Sequence, residues 1–251
     1  MRTPPLTAPA IAQHIAGTFD GIFAIVGEWR ATLAERLSVD GAPTAASLDP
    51  VVEGFAVPAI RGGGLATGAG FVAAPGLLSE APWHLAWWLG DRNGARRLAT
   101  VSDPTSDQFR DYTTLEWWRV PARTGKHHLT GPYVDYVCTD DYTVTLTTPV
   151  VVGGRMLGVV GVDALVARLE LELLPVLRAG SGASVIVNAS GRVVTATDAH
   201  REPGSILRIA GLAEALAPLR DDEPIMREAL LPGGESVHLC GDTSLALVVG
   251  I

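Results

Sequence analysis

Val150-Val151-Val152-Gly153-Gly154-Arg155-Met156-Leu157-Gly158-Val159-Val160-Gly161-Val162-Asp163 is the stretch that decides the fold class. Apolar, largely β-branched runs flank a Gly-Gly pair, which is the signature of a β-hairpin with a tight turn. The same grammar returns at Val185–Val187, Asn188–Gly191 and Arg192–Thr195, and again at Met226–Leu231, Gly233-Gly234 and Ser236–Cys240, with a last strand over Ser244–Val249. Between the first two hairpins Leu165, Leu169 and Leu173 have helical spacing, so a helix is expected over Ala164–Leu174 with Asp163 placed to cap it. Ala210–Leu219 reads as a shorter helix.

Towards the N-terminus the period changes. Ile11, Ile15, Phe19, Ile22, Val26, Trp29, Leu33 and Leu37 recur every three or four residues, with Asp20, Glu28, Arg30, Glu35 and Arg36 between them. That pattern predicts one long amphipathic helix, stopped by Asp40-Gly41 and Pro43. At about 28 residues it exceeds an ordinary globular helix. It should span more than one packing unit or offer a homodimer face. The organisation is therefore a long helix, a larger α+β unit over about 45–165, a short helix, and a smaller α+β unit over about 176–251.

Composition excludes several classes of function. The 251 residues carry 19 basic and 27 acidic side chains, a net charge of −8, which argues against a nucleic-acid partner. With 47% hydrophobic and only 18% charged residues, the chain can build a core and is not a disordered tail. Uninterrupted apolar runs such as Gly21–Gly27 fall short of the roughly 18 residues of a membrane span. Met1-Arg2-Thr3-Pro4-Pro5 leads into no apolar signal region. The expectation is a soluble, cytoplasmic protein, or an extracytoplasmic one if the chain is a truncated receptor. Cys138 and Cys240 form no CxxC pair, and Lys126, the only lysine, is the one side chain open to Schiff-base chemistry.

All four tyrosines, Tyr112, Tyr133, Tyr136 and Tyr142, lie in one window with Phe109, Trp117, Trp118, Asp111, Glu116, Asp135, Asp140 and Asp141. Rings beside carboxylates suit a cationic ligand, because the ring quadrupole and the anion both attract it. Core aromatics with a solvated acidic loop account for the same composition. Period-two alternation puts Tyr133 with Asp135 on one strand face, and Thr143, Thr145 and Thr147 on another, opposite Val144 and Leu146.

Five fragments in order, Asp111–Trp118, Thr124-Gly125-Lys126, Gly131-Pro132-Tyr133-Val134-Asp135, Thr145–Val150 and Gly158–Asp163, resemble the core of double Cache sensor domains. The resemblance implies an α+β fold: a long N-terminal helix (1–44), a first PAS-like module with the ligand pocket (45–165), and a smaller second one (166–251). It also implies ligand sensing without catalysis or cofactor, and an output to a signalling partner that the sequence does not identify. In the amino-acid-binding branch an arginine stands two positions before a Trp-Tyr pair, followed by Tyr-x-Asp and an aspartate closing the Gly-Val-x-Gly-x-Asp strand. Carried over, Trp117 matches the tryptophan, Trp118 replaces the tyrosine, Tyr133 and Asp135 match Tyr-x-Asp, and Asp163 matches the closing aspartate. Leu115 stands where the arginine would be. Leucine has no donor with which to clamp a carboxylate.

The ligand expected from this pattern is a small amine, primary or quaternary, without an α-carboxylate. An amino acid is the alternative if another arginine, Arg110 or Arg119, supplies the clamp. Its contacts would be Tyr112, Glu116, Trp117, Trp118, Tyr133, Asp135 and Asp163. For Asp163 a plain helix cap is the competing role, and one ring of the Trp pair is expected in the core. An enzyme acting on amines, with Asp135, Asp163 or Glu116 as general base and Lys126 or a histidine assisting, is the alternative function. Gly68-Ala69-Gly70-Phe71-Val72-Ala73 matches a dinucleotide fingerprint but lacks the strand before it and the helix after it. His127-His128 are adjacent with no Cys or third His to support them, and Asp103, Asp107 and Asp111 lack the glycine and terminal glutamate of an EF-hand loop, so no metal is expected.

Overall fold

In the computed structural model, residues 4–38, 43–91, 94–136, 140–221 and 227–251 are described. In chain order the elements are α1 (Ala8–Leu37), α2 (Ala45–Arg61), β1 (Ala66–Ala73), β2 (Leu85–Asp91), β3 (Gly94–Arg97), a 3₁₀ turn (Tyr112–Thr114), α3 (Glu116–Thr124), β4 (His128–Val134), β5 (Tyr142–Val152) and β6 (Arg155–Leu165). Then follow α4 (Val166–Arg178), β7 (Ser184–Asn188), β8 (Val193–Ala196), α5 (Leu212–Ala215), α6 (Pro218–Asp221), β9 (Glu228–Leu230), β10 (Ser236–Leu239) and β11 (Leu245–Val249). The fold is α+β, a long N-terminal helix followed by two sheets. Cys138, Asp40 and Gly41, and Met226 at the head of the third predicted hairpin, lie outside the described residues.

One face of α1 is buried along Ile11, Ile15, Phe19, Phe23, Val26, Trp29 and Leu33, as its period predicts. The helix over 45–61 is not read from the sequence, because Pro50 and Pro58 interrupt its pattern. It forms nevertheless: Thr44 and Ser47 close a capping box, and Leu48, Val52, Ala56 and Ile60 bury one stripe. The predicted helix over Ala210–Leu219 is instead two separate turns, α5 and α6, with Pro218 opening the second.

The first sheet has six strands in the order β3-β2-β1-β6-β5-β4, and the second has five in the order β8-β7-β11-β10-β9. The chain divides into two compact units, one of residues 22–130 and 145–164, the other of residues 1–21, 131–144 and 165–251. In the second of these, Val185, Val187, Val193, Leu207, Leu212, Leu216, Val237 and Val248 form a core under the five-stranded sheet. Cys240 is buried in this unit, and burial pushes its thiol up to about 12, so it is no nucleophile at neutral pH.

In the first unit, β1 pairs antiparallel with both β2 and β6. The register sets Gly68 opposite Leu89 and Asp163, and Gly70 opposite Trp87 and Gly161. These residues share one sheet face. On the other face α2 covers the sheet; a Cβ on Gly90 would come within 3.1 Å of Ile60. Asp49 of α2 fastens this packing, with His84 Nε2 2.7 Å from one carboxylate oxygen and Arg97 Nη2 2.5 Å from the other.

Candidate sensing site around Asp163

Asp163 does not cap a helix. The cap of α4 is Leu165, with no side-chain bond, and Asp163 is still within β6. Its carboxylate is buried and held from two sides: Thr145 Oγ1 donates to Oδ1 at 2.6 Å, and Trp87 Nε1 donates to Oδ2 at 3.1 Å. Both of these donors are neutral. A carboxylate with little water around it attracts a cation more strongly than one in bulk solvent.

The Gly68–Gly70 run explains how the indole arrives. A Cβ on Gly68 would sit 2.8 Å from Asp163 Oδ2 and 3.0 Å from Trp87 Nε1, and one on Gly70 would sit 2.9 Å from Trp87 Cε3. The ring of Trp87 therefore lies over the two glycines, which are needed for close approach and not for a nucleotide. The motif is itself a strand, β1, and no helix follows it.

The turn before α3 is built by Asp111, which accepts from Thr113 N at 2.8 Å. It positions Tyr112, whose hydroxyl donates to the Ala73 carbonyl at 2.7 Å. Trp83 meets the Tyr112 ring edge-on at 5.0 Å, and Trp117 and Trp118 approach it at 6.3 and 5.3 Å. Helical geometry aims the Trp pair differently: Trp118 is buried and Trp117 half-buried. The Trp117 carbonyl accepts from Thr147 Oγ1 at 2.7 Å, tying α3 to β5 on the Asp163 face.

Burial pushes the Tyr112 phenol up to about 12. A phenol raised in the folded state favours folding while it is neutral. That stability is complete below its unfolded value near 10 and is lost as pH rises through about 12. Alkaline absorbance titration of wild type minus Tyr112→Phe is expected to show one phenol ionising near pH 12. A difference curve centred near 10 would contradict the burial.

Glu116 is exposed, its Oε1 2.8 Å from His128 Nε2. Leu115 is 45% exposed at the start of α3. Tyr133 is half-buried near the end of β4, and Asp135 is buried just beyond it. Both lie in the unit that contains residues 131–144. Asp103 accepts from Thr105 N at 2.9 Å and so shapes a loop, and His127 stacks on Phe23 at 4.1 Å. Trp87 was not foreseen: nothing local marks it, and only the β1–β2 register brings it to Asp163.

Residues 94–170 match the family model described as methyl-accepting chemotaxis protein-like, first PDC sensor domain. A structure of methyl-accepting chemotaxis protein X superposes with a TM-score of 0.64 at 20% identity, covering 96% of this chain and 93% of that one. The periplasmic sensory domain of the Campylobacter jejuni chemoreceptor Tlp1 gives 0.60 at 13% identity, with 95% and 90% covered. This chain has the double Cache fold. The ligand-binding domain of the Pseudomonas aeruginosa PAO1 amino acid chemoreceptor PctC, in complex with GABA, also shares it, at TM-score 0.55 and 15% identity over 95% and 94% of the two chains. No curated protein sequence matches.

These findings correct one expectation. A cytoplasmic protein was expected, but the solved domains of this fold belong to chemoreceptors and histidine kinases, and that of Tlp1 is periplasmic. The apolar runs considered singly also understated α1. By length and composition, with an 18-residue stretch of mean hydropathy 1.3, that helix is long and apolar enough to cross a membrane, although 39% of the stretch is buried in the protein.

Proposed function

We propose that this double Cache domain senses a small cationic amine lacking an α-carboxylate, and signals by binding alone. The observation that carries the proposal is the buried Asp163 carboxylate, gripped by the neutral donors Trp87 and Thr145. Opposite charge is the natural complement of that group, and Trp117, half-buried and tied through its carbonyl to Thr147 of the same face, is the ring proposed as its wall. Leu115, where relatives that bind amino acids are expected to carry arginine, offers nothing to a carboxylate. Tyr133 and Asp135 enter the reading on the resemblance alone. Tyr112, already bonded to Ala73, and Glu116, already bonded to His128, act in it as supports.

A thermal-shift screen of primary and quaternary amines, with the ligand recovered and analysed afterwards, tests the reading. The expected result is a raised melting temperature with the amine recovered unchanged. Conversion of the amine to a product would replace the sensor reading with an enzymatic one, in which these carboxylates serve as acid or base.

A further inference from the structure

We propose that Thr130 is a specificity-determining contact, and that the amine carries a hydroxyl group as its second hydrogen-bonding end. This rests on the amine reading above. Thr130 is in β4, 6% exposed, and among the described residues its Oγ1 has no hydrogen-bond partner. A buried hydroxyl without a partner is destabilising, and such groups are rare in native proteins.

Its position gives the hydroxyl a use. His128, two residues earlier on the same strand face, reaches Glu116 of α3, so Thr130 also points to the side that α3 covers. Thr147 and Thr145 of β5 face that side too, the first bonded to the Trp117 carbonyl and the second to Asp163. Gly131 lies against Val144, where a Cβ would come within 3.1 Å of the Val144 Cα. Thr130 is therefore beside Thr145, and Thr130, Thr145 and Asp163 form a row across the adjacent strands β4, β5 and β6.

Strands are spaced about 4.8 Å apart, so the Thr130 and Asp163 backbones are roughly 10 Å apart along the sheet, but the Asp163 carboxylate leans in to 2.6 Å from Thr145 Oγ1. The two hydrogen-bonding ends are therefore closer than the backbones, and a ligand laid over the row needs a short chain of about three or four methylenes. Thr145 gives its proton to Asp163, which leaves Thr130 as the hydroxyl open to the far end. Neither Thr130 nor Thr145 carries a positive charge to hold a carboxylate, so a neutral hydroxyl suits that end better. The class of ligand is an ω-amino alcohol.

Calorimetric titration of 4-aminobutan-1-ol against n-butylamine tests this. Wild type is expected to bind the amino alcohol about tenfold more tightly, the effect of one well-made hydrogen bond. Thr130→Val should bind both equally, by weakening the amino alcohol alone, and its unliganded melting temperature should be unchanged or higher. Thr130→Ser should keep the preference. Equal binding by wild type, or a preference that survives in Thr130→Val, overturns the assignment of Thr130 and leaves the amine reading standing. If neither compound binds, both are overturned.

Discussion

Asp163→Asn is expected to abolish measurable amine binding while leaving a folded protein. Removing the charge from a buried ion-pairing group typically costs about 2–5 kcal/mol of binding, a loss of roughly thirtyfold to several thousandfold. The carboxamide has nearly the shape of the carboxylate, and its oxygen can still accept from Thr145 or Trp87, which hold the present group at 2.6 and 3.1 Å. The unliganded variant should therefore melt within a few degrees of wild type. Loss of binding with loss of fold would show a structural aspartate only, and unchanged affinity would remove Asp163 from the site. Thermal unfolding and calorimetry on the same preparation separate these outcomes.

Gly70→Ala is expected to cause the largest loss of stability among simple substitutions on the Asp163 face. The new methyl would land on the Ala86 carbonyl oxygen and 2.7 Å from the Trp87 Cα, both backbone groups that cannot rotate away. Forcing β1 and β2 apart places the change at the upper end of overpacking effects, about 3 kcal/mol. For a chain of this size that lowers the melting temperature by roughly 6–12 °C. Gly17→Ala on α1 is the control, since nothing lies within 4 Å of a Cβ there and alanine favours a helix. If Gly70→Ala melts like wild type, the strands are not as close as described.

Local patterns in the sequence were enough for much of the fold. The Gly153-Gly154 turn joins β5 to β6 as its flanking residues require, and the period of α1 locates its buried face. Two prolines hid α2, whose formation depends on its Thr44 cap and on packing against the sheet, neither visible in helical propensity. Asp163 was recognised as a candidate, but its neighbourhood was not. Whether it capped a helix or lay inside a strand depended on β6 continuing to Leu165, two residues beyond it. Trp87 and Gly68 are separated from it by more than seventy residues of chain and meet it only through strand register. The Gly68–Ala73 run shows the opposite failure. A motif associated with nucleotides proved to be a strand thinned to admit an indole.

On the proposed reading, the site selects a cation and has no use for an acid group beside it. Calorimetric titration of one amine and the amino acid from which it derives by decarboxylation tests that most directly. The amine should bind at least tenfold more tightly than the parent. Equal or tighter binding of the amino acid would contradict the account, since it would require a carboxylate clamp that Leu115 does not provide.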